Sequence, residues 1–207
     1  MISAMRIESV AGQPDMAGRF RVCFSDDSVM RLYKQTVQDF GIYPGRELTQ
    51  QEYQELQSEA MKMSAKMRAV RIISASSVSK KDLEQRLLQK GEDAASTQEA
   101  IRWLQDMDLL DDRKTAELVV SRCIGKGYGL QRAKQALYEK RIPKEYWDDA
   151  LADYPDQSDA IRAYIENHLP PEADTKAVKK VVDALLRRGH SYGQIRSVLS
   201  DREILED

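Results

Sequence analysis

The stretch SKKDLEQRLLQKG, Ser79 to Gly91, returns in outline as GLQRAKQALYEKR, Gly129 to Arg141, and as AVKKVVDALLRRG, Ala177 to Gly189. Leu83, Ala133 and Val181 fall in register, then Leu87, Leu137 and Leu185, then Leu88, Tyr138 and Leu186. The register offsets are 50 and 48 residues. A period near fifty signals a helical array, in which one small unit is reused and stacked on its neighbours. An array presents a long surface, and a long surface suits a long partner.

Charge follows the same period. Lys62 to Lys90 holds eight Lys/Arg against two acids, Arg113 to Lys144 nine against two, and Lys176 to Arg196 six against one. The acids lie between: seven against one base in Glu92 to Asp112, and nine against one in Glu145 to Asp174. The net charge of −2 over 207 residues therefore hides an alternation. Two accounts fit it: solvated helices whose charges pair between neighbours, or basic blocks gathered on one side to meet an acidic partner. The folded positions decide between them.

Charged residues make up 32% of the chain and aromatics only 7%, a mixture suited to exposed helices and poor for a thick sheet core. No apolar run approaches the length of a membrane span. MISAMRIESVAG lacks the apolar centre of a secretory signal. Cys23 and Cys123 stand a hundred positions apart without a CxxC, so a reduced cytoplasmic setting is expected, with no disulfide framework and no zinc site.

The N-terminal forty residues read differently. Phe20, Val22 and Phe24 alternate as on a strand, Ser25 to Ser28 reads as a tight turn, and Val29 to Tyr33 returns as a second strand. With Met5 to Glu8 this predicts a small β-hairpin, three-stranded, that needs a helix to cover it. Thr49 and Glu52 form a capping box, after which Tyr53, Leu56, Ala60, Met63, Met67 and Val70 make one apolar stripe. Further starts are expected at Ser79, at Ser96 with Glu99, at Asp111-Asp112, at Ser158, at Asp174 and at Ser191. Gly91 and Gly189 are expected to end helices in the left-handed conformation. Each unit then has three helices with the basic copy in the middle.

Convergent chemistry is missing. His168 and His190 have no ligand-spaced partner and read as surface decoration, and no paired acid and base stands out. Gly125-Lys126-Gly127-Tyr128-Gly129 lacks the spacing of a phosphate loop and follows a helix, so it reads as a flexible turn carrying Tyr128 as a contact residue. Neither a catalytic residue nor a cofactor or metal is expected. The basic middle helices could bind phosphates, but the few aromatics near them supply little base stacking.

An ordered set of residues carries a resemblance. Ser79-Lys80-Lys81-Asp82-Leu83, Leu87 and Lys90-Gly91 begin it, and Leu104, Leu109-Leu110-Asp111-Asp112, Ala116, Val119 and Arg122 continue it. Gly127-Tyr128-Gly129, Arg132, Leu137, Lys140 and Ile142 follow, then Leu185, Arg187-Arg188-Gly189, Ile195 and Leu199. Together they resemble the RecX-family regulators of the RecA recombinase, and the hairpin before Leu48-Thr49 resembles the extension of longer members. Asp108 and Arg141 stand where the family has glycine, and Thr115 where it has an aromatic residue.

The resemblance implies an all-α protein apart from the hairpin: an elongated, curved array of three tandem three-helix repeats. The expected segments are an extension over 1–48, a linking helix with repeat 1 over 49–110, repeat 2 over 111–155 and repeat 3 over 156–207. A self-sufficient array makes a monomer the expectation, in the cytoplasmic setting without a membrane segment already read from the sequence. The resemblance implies a non-enzymatic protein that lodges in the groove of the RecA filament on single-stranded DNA. There it lowers ATPase, strand exchange and coprotease activity, and so tunes DNA repair and the SOS response, with weak direct DNA contact. The residues expected to meet the filament or DNA phosphates are Lys80, Lys81, Arg86, Lys90, Arg122, Lys126, Tyr128, Arg132, Lys134, Lys140, Lys179, Lys180, Arg187 and Arg188. The rival readings are a DNA-binding repeat protein acting without the recombinase and a generic helical adaptor.

Overall fold

The computed structural model describes residues 5–205, so the first four and last two residues of the expected segments lie outside it. The chain is mostly helical, with a small antiparallel sheet near its start. It divides into two compact units, one of residues 1–76 and 83–109, the other of residues 77–82 and 110–207.

The first unit opens with β1 (Met5–Val10), β2 (Arg19–Phe24) and β3 (Val29–Tyr33). A short α1 (Lys34–Asp39) and a two-residue β4 (Glu47–Leu48) follow. The sheet order is β3-β2-β1-β4, so four strands replace the expected three-stranded hairpin. Two residues carry too little alternation to be read as a strand; β4 is fixed by pairing Leu48 with Met5. The helix α2 (Gln50–Ala75) starts at the capping box, with the Glu52 amide donating to Thr49 Oγ1 and the Glu52 carboxylate accepting from the Thr49 amide. Its first turns close the sheet: Ile7, Val22, Phe24, Leu32, Ile42 and Leu48 pack with Tyr53 and Leu56. Phe24 meets Tyr53 edge-on at 5.1 Å between ring centroids.

Beyond Leu56, the fully buried residues of α2 are Ala65 and Ala69 rather than the Met63 and Met67 of the predicted stripe, which are half-buried. Small side chains suit the close approach of α4 (Ala94–Asp106), the helix that packs along α2. Ion pairs run between these two helices, with Lys66 and Lys62 meeting Glu99 at 2.8 and 3.6 Å. Asp93 caps α4 by accepting from the Ser96 amide, so the helix starts earlier than the expected Ser96. The first middle helix, α3 (Lys80–Gln89), gives its opening turn to the second unit and the rest to the first.

The second unit holds α5 (Asp112–Gly125), α6 (Leu130–Glu139), a 3-10 turn over Lys144–Tyr146 and α7 (Trp147–Leu151) around Ala116, Val119, Val120, Leu137 and Ile142. The helices α8 (Ser158–His168), α9 (Thr175–Arg187) and α10 (Tyr192–Leu205) surround Ile161, Ile165, Leu169, Val181, Leu185, Ile195 and Val198. The helices after the sheet thus come as three tandem sets of three, with α3, α6 and α9 in the middle.

One joint is used twice within this unit. At the start of α3, the Ser79 hydroxyl donates to Lys140 O at 2.7 Å while accepting from the Asp82 amide, and Lys140 Nζ donates to Ser77 O at 3.0 Å. At the start of α6, the Gly129 and Gln131 amides donate to Arg188 O and Gly189 O at 2.9 and 3.2 Å. The carbonyls that end one middle helix therefore accept from the start of the one before it, from the Ser79 hydroxyl at α3 and from backbone amides at α6, positive dipole end to negative. Ser79 and Gly129 are 50 residues apart, and Arg141 and Gly189 are 48 apart, the same spacings that relate the middle-helix copies.

The Gly125 to Gly129 segment is consequently no flexible turn. A Cβ on Gly129 would collide with the Gly189 carbonyl, and one on Gly189 with the Arg132 backbone. His190 is also not surface decoration: it is 3% exposed, and its Nε2 lies 3.1 Å from Gly127 O. Burial pushes its pKa down. Asp108 and Arg141, the two departures from glycine, both adopt left-handed backbone, with φ of +58° and +54°.

Candidate partner-binding surface

A middle helix buries one stripe and leaves the next position in sequence about 100° away from it. Leu87, Leu137 and Leu185 are each 0% exposed, whereas Leu88, Tyr138 and Leu186 are 43%, 67% and 41% exposed. A residue that follows a buried leucine in every copy, stays large and apolar, and stays in water is not explained by the core. Each shares its helix face with a lysine: Lys81 and Lys179 stand seven residues before Leu88 and Leu186, and Lys134 stands four before Tyr138.

The lysines are free to act. Lys81, Lys90, Arg122, Lys126, Lys134, Lys179, Lys180 and Arg187 are exposed and have no acidic partner among the described residues, whereas Lys80 is exposed with its amide on Asp112 Oδ1 at 2.7 Å and its charge close to that carboxylate. The others of the expected set are engaged inside the fold. Arg86 is half-buried with Ser76 Oγ at 3.4 Å, and Lys140 holds Ser77 O. Arg132 pairs with Glu139 at 3.0 Å, which holds that carboxyl below its ordinary range. Arg188 donates to Lys126 O and lies 5.0 and 5.1 Å from the Tyr128 and Tyr164 ring centres, so Tyr128 is half-buried under a guanidinium rather than projecting as a contact residue. The pairing of charges between neighbours is seen at α2 and α4, while Lys81, Lys134 and Lys179 of the middle helices are left without an acidic partner among the described residues.

Beside Tyr138, a cleft of about 540 Å³ lies over the joint of α3 and α6. Lys81, Arg141 and Lys144 supply positive charge, and Tyr138 and Trp147 form apolar walls. Trp147 Nε1–H donates to Ile142 O at 3.0 Å, which fixes the indole. Arg141 reaches the buried Asp82 at 3.4 Å. Trp147 escaped the sequence reading, and Lys144 entered it only as the end of a basic block, because both border the acidic run from Glu145; Pro143, which opens the 3-10 turn that places them, was the available signal. Among the described residues no three His, Cys, Asp or Glu side chains are grouped to hold a metal ion, and no helix is long and apolar enough to cross a membrane.

No protein-family model matches the chain. It is 33% identical over 151 residues to the regulatory protein RecX of Vibrio campbellii, spanning 72% of this chain and 96% of that relative. The chain belongs to the RecX family. The RecX of Chlorobaculum tepidum is 30% identical over 145 residues, and that of Clostridioides difficile is 24% identical over 188 residues, or 88% of each chain. The fold agrees. A crystal structure of a regulatory protein RecX superposes with a TM-score of 0.61 over 95% of this chain at 17% identity. The RecX of Lactobacillus salivarius gives 0.57 over 70% at 22% identity. The RecX relatives carry the name of regulatory proteins.

Proposed function

We propose that this chain is a monomeric, cytoplasmic, non-enzymatic regulator that binds a RecA filament on single-stranded DNA and lowers its ATPase, strand exchange and coprotease activity. Through these it tunes DNA repair and the SOS response. The observation that carries the reading is the repeated pair on the middle helices, one exposed apolar residue and one unpaired lysine in each copy. A filament repeats its own surface at regular intervals, and a protein that repeats its contact is matched to it. The apolar residue supplies contact area, and the lysine steers toward acidic surface or DNA phosphates. The extension over 1–48 and the segments 49–110, 111–155 and 156–207 are the working divisions of this reading.

Of the residues expected from sequence, Lys80, Lys81, Lys90, Arg122, Lys126, Lys134, Lys179, Lys180 and Arg187 are assigned to contact. Arg86, Tyr128, Arg132, Lys140 and Arg188 are assigned to hold the joints. The test is the single-strand-dependent ATPase of RecA with the protein added below equal stoichiometry. Inhibition at a small ratio is expected, since each molecule then acts on several protomers. An unchanged ATPase in the presence of folded protein refutes the reading.

A further inference from the structure

The outer face of the N-terminal sheet gathers three arginines, two of which form no ion pair or side-chain hydrogen bond among the described residues. Arg19, Arg21 and Arg31 share that face, because alternation sends Phe20, Val22 and Leu32 inward. Arg21 and Arg31 are direct cross-strand partners. Like charges placed opposite each other in a ladder are destabilising. Both side chains are exposed, and neither has an ion pair or side-chain hydrogen bond among the described residues.

The available acid is already taken. Asp15 accepts from Arg19 Nε and Nη2 at 3.0 and 2.9 Å, and these bonds with the Arg19 amide hold its carboxyl below the ordinary range. A fourth guanidinium comes from α2: Arg71 donates to the hydroxyl of Tyr33, the strand partner of Arg19, and to Ala17 O, both neutral, so its charge is not cancelled. The loop after β1 rises beside Arg19, Arg21 and Arg31 to leave a groove of about 350 Å³. Met5 to Tyr33 carries four arginines and four acids, so the charge is segregated by the fold and invisible in the segment's total.

We infer that this arginine face is a phosphodiester-binding site for single-stranded nucleic acid, separate from the middle helices. The uncompensated groups are all guanidinium, whose planar fork matches phosphate oxygens in pairs, and a bound backbone relieves the Arg21–Arg31 repulsion. Beside the arginines the groove is lined by Ala11, Gln13, Pro14 and Asp15, with no aromatic side chain on which a base could stack, so the site is expected to read backbone more than sequence.

The test uses the full chain without recombinase, which separates it from the proposed function. Binding of a labelled oligothymidylate of roughly 30 nucleotides is followed by anisotropy over a salt series. In R21T/R31T, affinity at low salt is expected to fall about tenfold or more, and the log–log salt slope to flatten by about 1.4, the value for two lost phosphate contacts. R21K/R31K should keep most of the slope. The Tm of R21T/R31T should match or exceed that of the parent, because a repulsive pair is removed. Equal affinity and slope in R21T/R31T, or no oligonucleotide binding by the parent, overturns the inference. Displacement of the oligonucleotide by polyglutamate at equal charge concentration also overturns it, because the face then recognises acidic protein.

Discussion

At the scale of single residues, backbone geometry decides more than side-chain chemistry. Gly129 has no room for a Cβ, because the Gly189 carbonyl occupies that space. Gly129→Ala should therefore cost at or beyond the top of the roughly 0.5–3 kcal/mol range of ordinary substitutions, read from the urea midpoint. Asp108 is the converse case. It holds φ +58° after α4, where its carboxylate makes no hydrogen bond or ion pair among the described residues. Asp108→Gly should raise stability by about 1 kcal/mol, measured the same way. The sequence named both positions, one as part of a glycine-rich loop and one as a departure from glycine. Asp108 was interpretable because a left-handed helix end is a local event. Gly129 was not, because the atom that forbids a side chain lies sixty residues further on.

At the scale of elements, the joint between α6 and α9 is a lock made of backbone and one imidazole. His190 keeps Nε2 on Gly127 O, and its buried Nδ1 has no partner, so a second proton has nowhere to go. Burial first, and Arg188 in addition, depress its pKa below 6.5. The folded-state value lies below the unfolded one, so the unfolded chain takes up the proton first. Stability is then fully present above about pH 6.5 and declines as pH falls toward the folded pKa. Thermal unfolding over this interval should show a decline that His190→Gln reduces; an equal decline in both proteins removes His190 as its source. The helices themselves were legible, since caps such as Thr49, Asp111 and Asp174 sit where local hydrogen bonding requires them. The joints were not, because nothing in the pattern of α6 says that Gly129 takes its caps from a distant helix end.

At the scale of the whole molecule, the period of about fifty residues carried the helical repeat and is the basis of the proposed function. The middle-helix copies were visible as a repeat, and the stacking rule uses the same spacings. What the repeat did not disclose is which of its registers faces water. Leu88, Tyr138 and Leu186 fall in register like the two buried positions before them and are exposed in all three copies. Nor did the charge blocks disclose that α2 spends its lysines on Glu99 while Lys81, Lys134 and Lys179 of the middle helices stay unpaired among the described residues. Burial and pairing are settled by neighbours far along the chain, and those neighbours set the boundary of what the sequence told.

The most direct test of the central claim is to compare the parent with L88D/Y138D/L186D as inhibitors of the single-strand-dependent RecA ATPase. All three side chains are exposed, so the variant should fold, with its helical circular dichroism retained. The account predicts that the concentration for half-inhibition rises at least about tenfold, the equivalent of about 1.4 kcal/mol of lost contact. Unchanged inhibition by a folded variant would contradict it, and would place the contact on some other face.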